Sequence, residues 1–134
     1  MLKSGCIHPE IMSALSLCGH GDKILIADGN YPLNAKSGDA KKVYLGLTDG
    51  IPTVTDVLKT LLTCINIEKA EVMLPGSGEP EIFGEFRTIL NGMELEGIDR
   101  FGFYEACKEP VVRLAISTGE KRTFANILIT VGVA

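Results

Sequence analysis

The sequence predicts an α/β fold, a three-layer α/β/α sandwich built on a mixed central sheet, and three observations carry the prediction. Compact apolar runs alternate with segments whose apolar residues recur at helical spacing through the first two-thirds of the chain. The run at residues 23–27 is apolar at Ile24, Leu25, Ile26 and Ala27 in succession, as expected of a strand covered on both faces. The last two strand-like runs are separated only by residues 118–123, too few for a crossover helix, which predicts a hairpin-like connection and hence a mixed sheet.

Each element has its own local reason. Pro9 after His8, with Ile11, Met12, Leu15 and Leu17 on one stripe, predicts a helix over about residues 9–18, and Gly19 is available as its left-handed stop. Gly21-Asp22 and Asp28-Gly29 bound the first strand, so Asp28 stands at its C-terminal end. Gly29, Pro32, Asn34, Gly38 and Asp39 put too much turn chemistry into residues 29–41 for a regular element, and predict a surface loop of functional length. A second strand is expected at 42–45. Beyond the Asp49-Gly50 turn and Pro52, Thr53 caps a helix that carries Val54, Val57, Leu58, Leu61, Leu62 and Ile65 toward the sheet. Residues 71–74 read as a third strand, and Pro80 opens a helix with Ile82, Phe83, Phe86, Ile89, Leu90 and Met93 on one side. The remainder predicts a strand near 98–101, a helical turn near 104–108, and strands at about 111–117 and 126–130.

Composition narrows the function classes. A chain of 134 residues with 46% hydrophobic positions is expected to form one domain spanning 1–134, with a core that needs neither disulfide nor metal. Seventeen acidic against thirteen basic residues give a net charge of −4, and no Lys/Arg block exceeds two residues, which speaks against nucleic acid as a partner. The longest apolar runs are interrupted by Arg113 and Asn126 and fall short of the ~20 residues of a membrane span. No basic segment followed by an apolar stretch opens the chain, so the expected compartment is the cytoplasm. Cys6, Cys18, Cys64 and Cys107 contain no CxxC pair and are expected to be buried, reduced thiols.

The catalytic motifs of several large classes are missing. Gly76-Ser77-Gly78-Glu79-Pro80 lacks the third glycine of a dinucleotide fingerprint, and neither GxxxxGK[ST] nor GxSxG occurs. The most informative feature is Gly19-His20-Gly21-Asp22. His20 follows a predicted helix C-terminus and is flanked by glycines that allow close approach of a ligand, so it is either a helix-capping histidine or an acid/base group. Asp28 is either the opening of an Asx turn or a carboxylate bordering the crevice at strand C-termini where α/β sheets bind ligands. Separated by one strand length, His20 and Asp28 are compatible with flanking one small site, and a metal set of His20, Asp22 and Asp28 stays open as an alternative. Asn126 is a polar amide leading an apolar run, fit for a turn or a sugar hydroxyl. Taken alone, Arg100 is a solvated strand-end charge and Phe124 a core residue.

In order along the chain, Gly19-His20-Gly21-Asp22, Ala27-Asp28 with Pro32 beyond it, Arg100-Phe101-Gly102-Phe103-Tyr104-Glu105, Thr118-Gly119-Glu120 and Asn126-Ile127-Leu128 resemble the RbsD/FucU family of cytoplasmic ribose pyranases and fucose mutarotases. The resemblance covers essentially the whole chain. It implies that His20 is catalytic and that Asp28, Arg100, Phe124 and Asn126 bind substrate, with Arg100 opening the fucose-branch RFxFYE signature and Asn126 closing a Tyr-x-Asn motif. Phe124 occupies the tyrosine's place and removes a hydroxyl. Leu47-Thr48-Asp49-Gly50-Ile51-Pro52 is more like the ribose branch, whereas residues 100–105 are more like the fucose branch. The implied activity is mutarotation of a free monosaccharide, L-fucose first, without cofactor or metal, in a homo-oligomer whose sugar site lies near a subunit boundary. The implied chemistry suits histidine, whose ordinary pKa of about 6.5 lets it give and take a proton near neutrality. A binding module without catalysis and D-ribose specificity are the alternatives.

Overall fold

The computed structural model describes residues 1–134. In chain order the elements are α1 (Pro9–Leu17), β1 (Lys23–Ala27), β2 (Lys41–Tyr44), α2 (Val54–Leu62), β3 (Ile67–Met73), α3 (Glu81–Ile89), β4 (Leu95–Ile98), α4 (Arg100–Cys107), β5 (Val112–Ser117) and β6 (Ile127–Val131). The strands form one six-stranded sheet in the order β2-β5-β1-β6-β3-β4. β6 runs antiparallel to both its neighbours, and the other pairs are parallel. The expected three-layer sandwich on a mixed sheet is the observed one.

Helices α1, α2 and α3 cover one face, where Ile11, Leu15, Leu58, Leu61, Phe83 and Phe86 pack against Ile24, Ile26, Val72, Leu114, Ile116, Ile127 and Ile129. On the other face α4 contributes Phe103 and Cys107, and the loop after β1 contributes Tyr31 and Leu33, against Leu25, Ala27, Met73, Val112, Ala115 and Leu128. Strands β1 and β6 are thus apolar at nearly every position because both faces are covered. Thr53 caps α2 in a reciprocal box with Asp56, as the Thr-x-x-acid spacing anticipates. No helix is long and apolar enough to cross a membrane.

The structure corrects several local expectations. The helix α1 leaves through an extended Cys18, and the left-handed residue in that turn is Gly21 (φ 92°), whose neighbour Asp22 accepts the Gly19 amide at 2.8 Å. Leu17, assigned to the apolar stripe, is exposed because the nine-residue helix ends before its last turn reaches the sheet. Strand β3 begins at Ile67, ahead of the apolar run, because Lys69 and Glu71 are paired across the sheet with Glu96 and Lys23. The stretch at 98–101 is not a strand: β4 ends at Ile98, Asp99 occupies the N-cap position, and Arg100 and Phe101 open α4. Arg100 is therefore a helix-start residue. Of the four free cysteines only Cys6 and Cys107 are buried, whereas Cys64 is exposed.

The connection from β5 to β6 is not a hairpin, since β1 lies between them. The chain crosses over the C-terminal end of β1 and reverses before entering β6. This detour gathers the C-terminal end of β1 and the start of β6, the two central strands, into a site.

Candidate functional site

Where the crossing segment passes the end of β1, hydrogen bonds tie the two together. Thr118 donates from its backbone and from Oγ1 to the Ala27 carbonyl, at 3.2 and 2.8 Å. The Gly29 amide donates to the Glu120 carbonyl at 2.7 Å. Asp28 and the residues before β6 then clasp each other: the Asp28 amide donates to Asn126 Oδ1 at 2.8 Å, and the Ala125 amide donates to Asp28 Oδ2 at 3.1 Å. Asp28 Oδ1 accepts the Asn30 amide at 2.9 Å, which is the Asx turn that starts the long loop. Asp28 and Asn126 are 2% and 3% exposed. Burial pushes the Asp28 carboxyl above its ordinary 3.8, opposed by the Ala125 and Asn30 amides that favour the ionised form.

Phe124, just before this clasp, has φ 55°. A bulky side chain in the left-handed region is uncommon and is held there by its surroundings. Those surroundings include a guanidinium clamp. Arg122 donates through Nε to Glu120 Oε1 at 2.9 Å and through Nη1 to Glu85 Oε2 on α3 at 2.5 Å. Burial opposes ionisation of Glu120, but the Arg122 hydrogen bonds prevail and hold its carboxyl below the ordinary 4.5.

Asp28, Tyr31, Arg100, Tyr104, Phe124 and Asn126, with Asn30, Met73 and Thr123, line a depression of about 230 Å³ at the C-terminal ends of the strands. Arg100 and Tyr104 stand one turn apart on α4, with Arg100 Nε donating to the Tyr104 hydroxyl at 3.3 Å and the guanidinium 5.7 Å from the Tyr104 ring. Tyr31 meets Tyr104 edge-on, at 5.4 Å between centroids, and its own hydroxyl donates to the Lys36 carbonyl at 2.7 Å. Phe124 is only half-buried, packed against the core cluster of the α4 face, and it lines both this depression and a second one of about 550 Å³ beside residues 75–82. Aromatic walls with convergent amide, carboxylate, guanidinium and phenol groups suit a small polyhydroxylated ligand.

Four of the five sequence-predicted residues therefore meet, namely Asp28, Arg100, Phe124 and Asn126. His20 does not join them. It precedes β1 whereas Asp28 follows it, and five strand residues at about 3.3 Å each separate the two by more than about 13 Å. His20 lies at the opposite end of the sheet, where Gly21 donates to the Val131 carbonyl at 2.9 Å, and it lines a depression of about 530 Å³ with Cys18, Gly19, Cys64 and residues 131–134. The same separation dissolves the metal set of His20, Asp22 and Asp28. Tyr31 was missed as a wall residue, and Tyr104 was read only within the stretch 100–105 and as a hydroxyl near position 124. For Tyr104 a signal existed, since Asp99 in a cap position would have put Arg100 and Tyr104 on one helical face.

Comparison with known proteins agrees with this fold. A D-ribose pyranase of Variovorax paradoxus is 30% identical over 135 residues, covering 99% of this chain and 98% of the relative. The structure of Bacillus subtilis RbsD complexed with D-ribose superposes with a TM-score of 0.86 at 26% identity, covering 100% of this chain and 99% of that one. A fucose mutarotase of Streptococcus pneumoniae in complex with L-fucose gives 0.84 at 25% identity, again with 100% and 99% coverage. The model of the RbsD / FucU transport protein family matches residues 1–134, and the chain belongs to that family.

Proposed function

We propose that the protein is a cofactor-independent mutarotase that interconverts the ring forms of a free monosaccharide, with L-fucose as its first substrate. The observation that carries this reading is the clasp of Asp28 and Asn126 beside Arg100 and Tyr104 around one small depression. Asp28 spends one acceptor site of each oxygen on a backbone amide, and a carboxylate has about four, so it retains capacity for sugar hydroxyls. Asn126 uses Oδ1 internally and has Nδ2 to donate. Arg100 and Tyr104 add donors at the mouth, and the rings of Phe124 and Tyr31 offer apolar surface to the sugar's C–H face.

Mutarotation needs a base for the anomeric hydroxyl and an acid for the ring oxygen. The base removes the hydroxyl proton as the bond between the anomeric carbon and the ring oxygen breaks, and the ring oxygen takes up a proton. The open aldehyde rotates about its C1–C2 bond, and the reverse transfers reclose the ring. His20 is the group suited to both transfers. Since its own chain holds it at the far end of β1, it serves the sugar site of a second copy, and the working unit is a homo-oligomer with the site at a subunit boundary. Its 57% side-chain exposure in the isolated chain fits a group that meets a partner.

A second substrate, D-ribose, is favoured by relatives such as the D-ribose pyranase of Variovorax paradoxus. Saturation-transfer NMR on equilibrated L-fucose and D-ribose tests both, with and without EDTA. Accelerated exchange of one sugar that survives EDTA is expected. Binding without accelerated exchange of either sugar would make the protein a binding module, and loss on chelation restored by zinc would make it a metalloenzyme.

A further inference from the structure

We infer that Glu68 is a positioning residue for His20, fixing the imidazole so that Nδ1 exchanges the proton with the sugar. The inference rests on the mutarotase reading above but concerns a residue outside the sugar depression. Nε2 of His20 lies 2.9 Å from Glu68 Oε2 and 3.0 Å from Oε1. The two residues are 48 positions apart in sequence, and the sheet brings them together. Glu68 is the second residue of β3, Ile67 pairs with Val131, and Gly132 is pinned by donating to the Asn66 carbonyl at 2.8 Å. The His20 turn reaches the same corner through the Gly21 hydrogen bond to Val131.

The chemistry of the contact decides the tautomer. A carboxylate only accepts hydrogen bonds, whereas a neutral imidazole carries one N–H and one lone pair. Glu68 therefore calls for the N–H at Nε2, which leaves the lone pair on Nδ1. When Nδ1 takes the sugar proton, the imidazolium forms beside an anion already in place, and the ring need not turn to return the proton. Fold stability gives no competing reason for the pair. With side chains 57% and 45% exposed, an ion pair contributes little to folding.

The test uses the assembled protein labelled with 15N-histidine, in the neutral-imidazole plateau of a pH titration, and compares wild type, Glu68→Ala, Glu68→Gln and His20→Ala. In wild type the His20 spectrum should show a protonated Nε2 and an unprotonated Nδ1. Glu68→Ala should redistribute the tautomers and lower kcat about 10- to 100-fold, the range seen when a carboxylate orienting a metal-bound imidazole is removed, with KM within a factor of about two. Glu68→Gln keeps an acceptor, so it should retain the tautomer and lose less rate. If His20→Ala is inactive while Glu68→Ala keeps both the wild-type tautomer and an exchange rate within a factor of about two, the positioning role is overturned and the mutarotase reading stands. If wild type itself exchanges no sugar, or His20→Ala exchanges normally, the reading beneath fails and the inference with it.

Discussion

Phe124 combines two departures, a backbone in the left-handed region and a ring where the family motif has a phenol. Both act at one wall of the depression that Asp28, Arg100 and Asn126 also line. A neutral hydrogen bond is worth about 0.5–1.5 kcal/mol, so restoring the hydroxyl by Phe124→Tyr should raise affinity or exchange for one sugar by roughly 2- to 13-fold. Parallel exchange measurements on L-fucose and D-ribose check this, and an unchanged rate for both would reduce position 124 to its ring. The Tyr104 hydroxyl lines the same depression and accepts a hydrogen bond from Arg100 Nε at 3.3 Å. Two buried carboxylates nearby respond oppositely to pH. Asp28 titrates above its ordinary 3.8, so its charge costs stability at neutral pH and the cost disappears as pH falls through its folded pKa. Glu120 titrates below its ordinary 4.5, so it contributes stability above 4.5 that is lost as pH falls through its folded pKa. Urea unfolding at pH 7 and pH 3 should therefore show Asp28→Asn comparing better with wild type at pH 7 than at pH 3, and Glu120→Gln comparing worse at pH 7 than at pH 3. Asp28, Asn126 and Arg100 were legible as site residues through the motifs that carry the resemblance. The φ of Phe124 was not, because no local propensity marks an aromatic residue for the left-handed region.

At the scale of elements, the segment between β5 and β6 builds the site, and its sequence had suggested only a turn. Length alone favoured a hairpin, because the rule that short connections join neighbouring antiparallel strands does not reveal that β1 already lies between the two. What holds the crossing is specific. Gly119 fits where a Cβ would stand 2.5 Å from the carbonyl oxygens of Thr48 and Ile51, and Arg122 bridges Glu120 to Glu85. Truncation by Arg122→Ala leaves Glu120, 3% exposed, without its counter-charge. The expected loss is about 1–3 kcal/mol, the cost of an unsatisfied buried polar group, discounted because Arg122 itself is half-buried. Urea unfolding followed by circular dichroism measures it, and sugar affinity should fall in the same variant because the clasp on Asp28 loosens. The strands at β1, β5 and β6 and the helices α2 and α3 were legible because continuous burial and a helical stripe leave strong patterns. The start of β3 and the first turn of α4 were hidden, while the helical turn expected near 104–108 falls on its second half. Lys69 and Glu71 mask β3 with charge that is neutralised only across strands, and Ile98 and Phe101 flank Asp99 and Arg100 in a pattern that reads equally as a strand.

At the scale of the molecule, the sequence offers His20 and Asp28 as neighbours eight residues apart, and the fold sets them at opposite ends of β1. A chain-order reading cannot see this, because an extended strand converts short sequence separation into the full height of the sheet. The mutarotase account then requires two copies: one supplies Asp28, Arg100, Phe124 and Asn126, and the other supplies His20 held by Glu68. Subunit complementation tests that claim most directly. His20→Ala and Asp28→Asn are each expected to lose most anomeric exchange, since a general acid–base group typically contributes about 10²–10⁴-fold and the proposed function assigns the Asp28 carboxylate to holding the sugar. Co-refolded in equal amounts, the two variants should regain activity, because random association gives roughly a quarter of the sites an intact Asp28 side and an intact His20 side. Recovery to about that fraction of wild-type exchange is the predicted result. Mixed oligomers that form but remain as inactive as either variant alone would contradict the shared site.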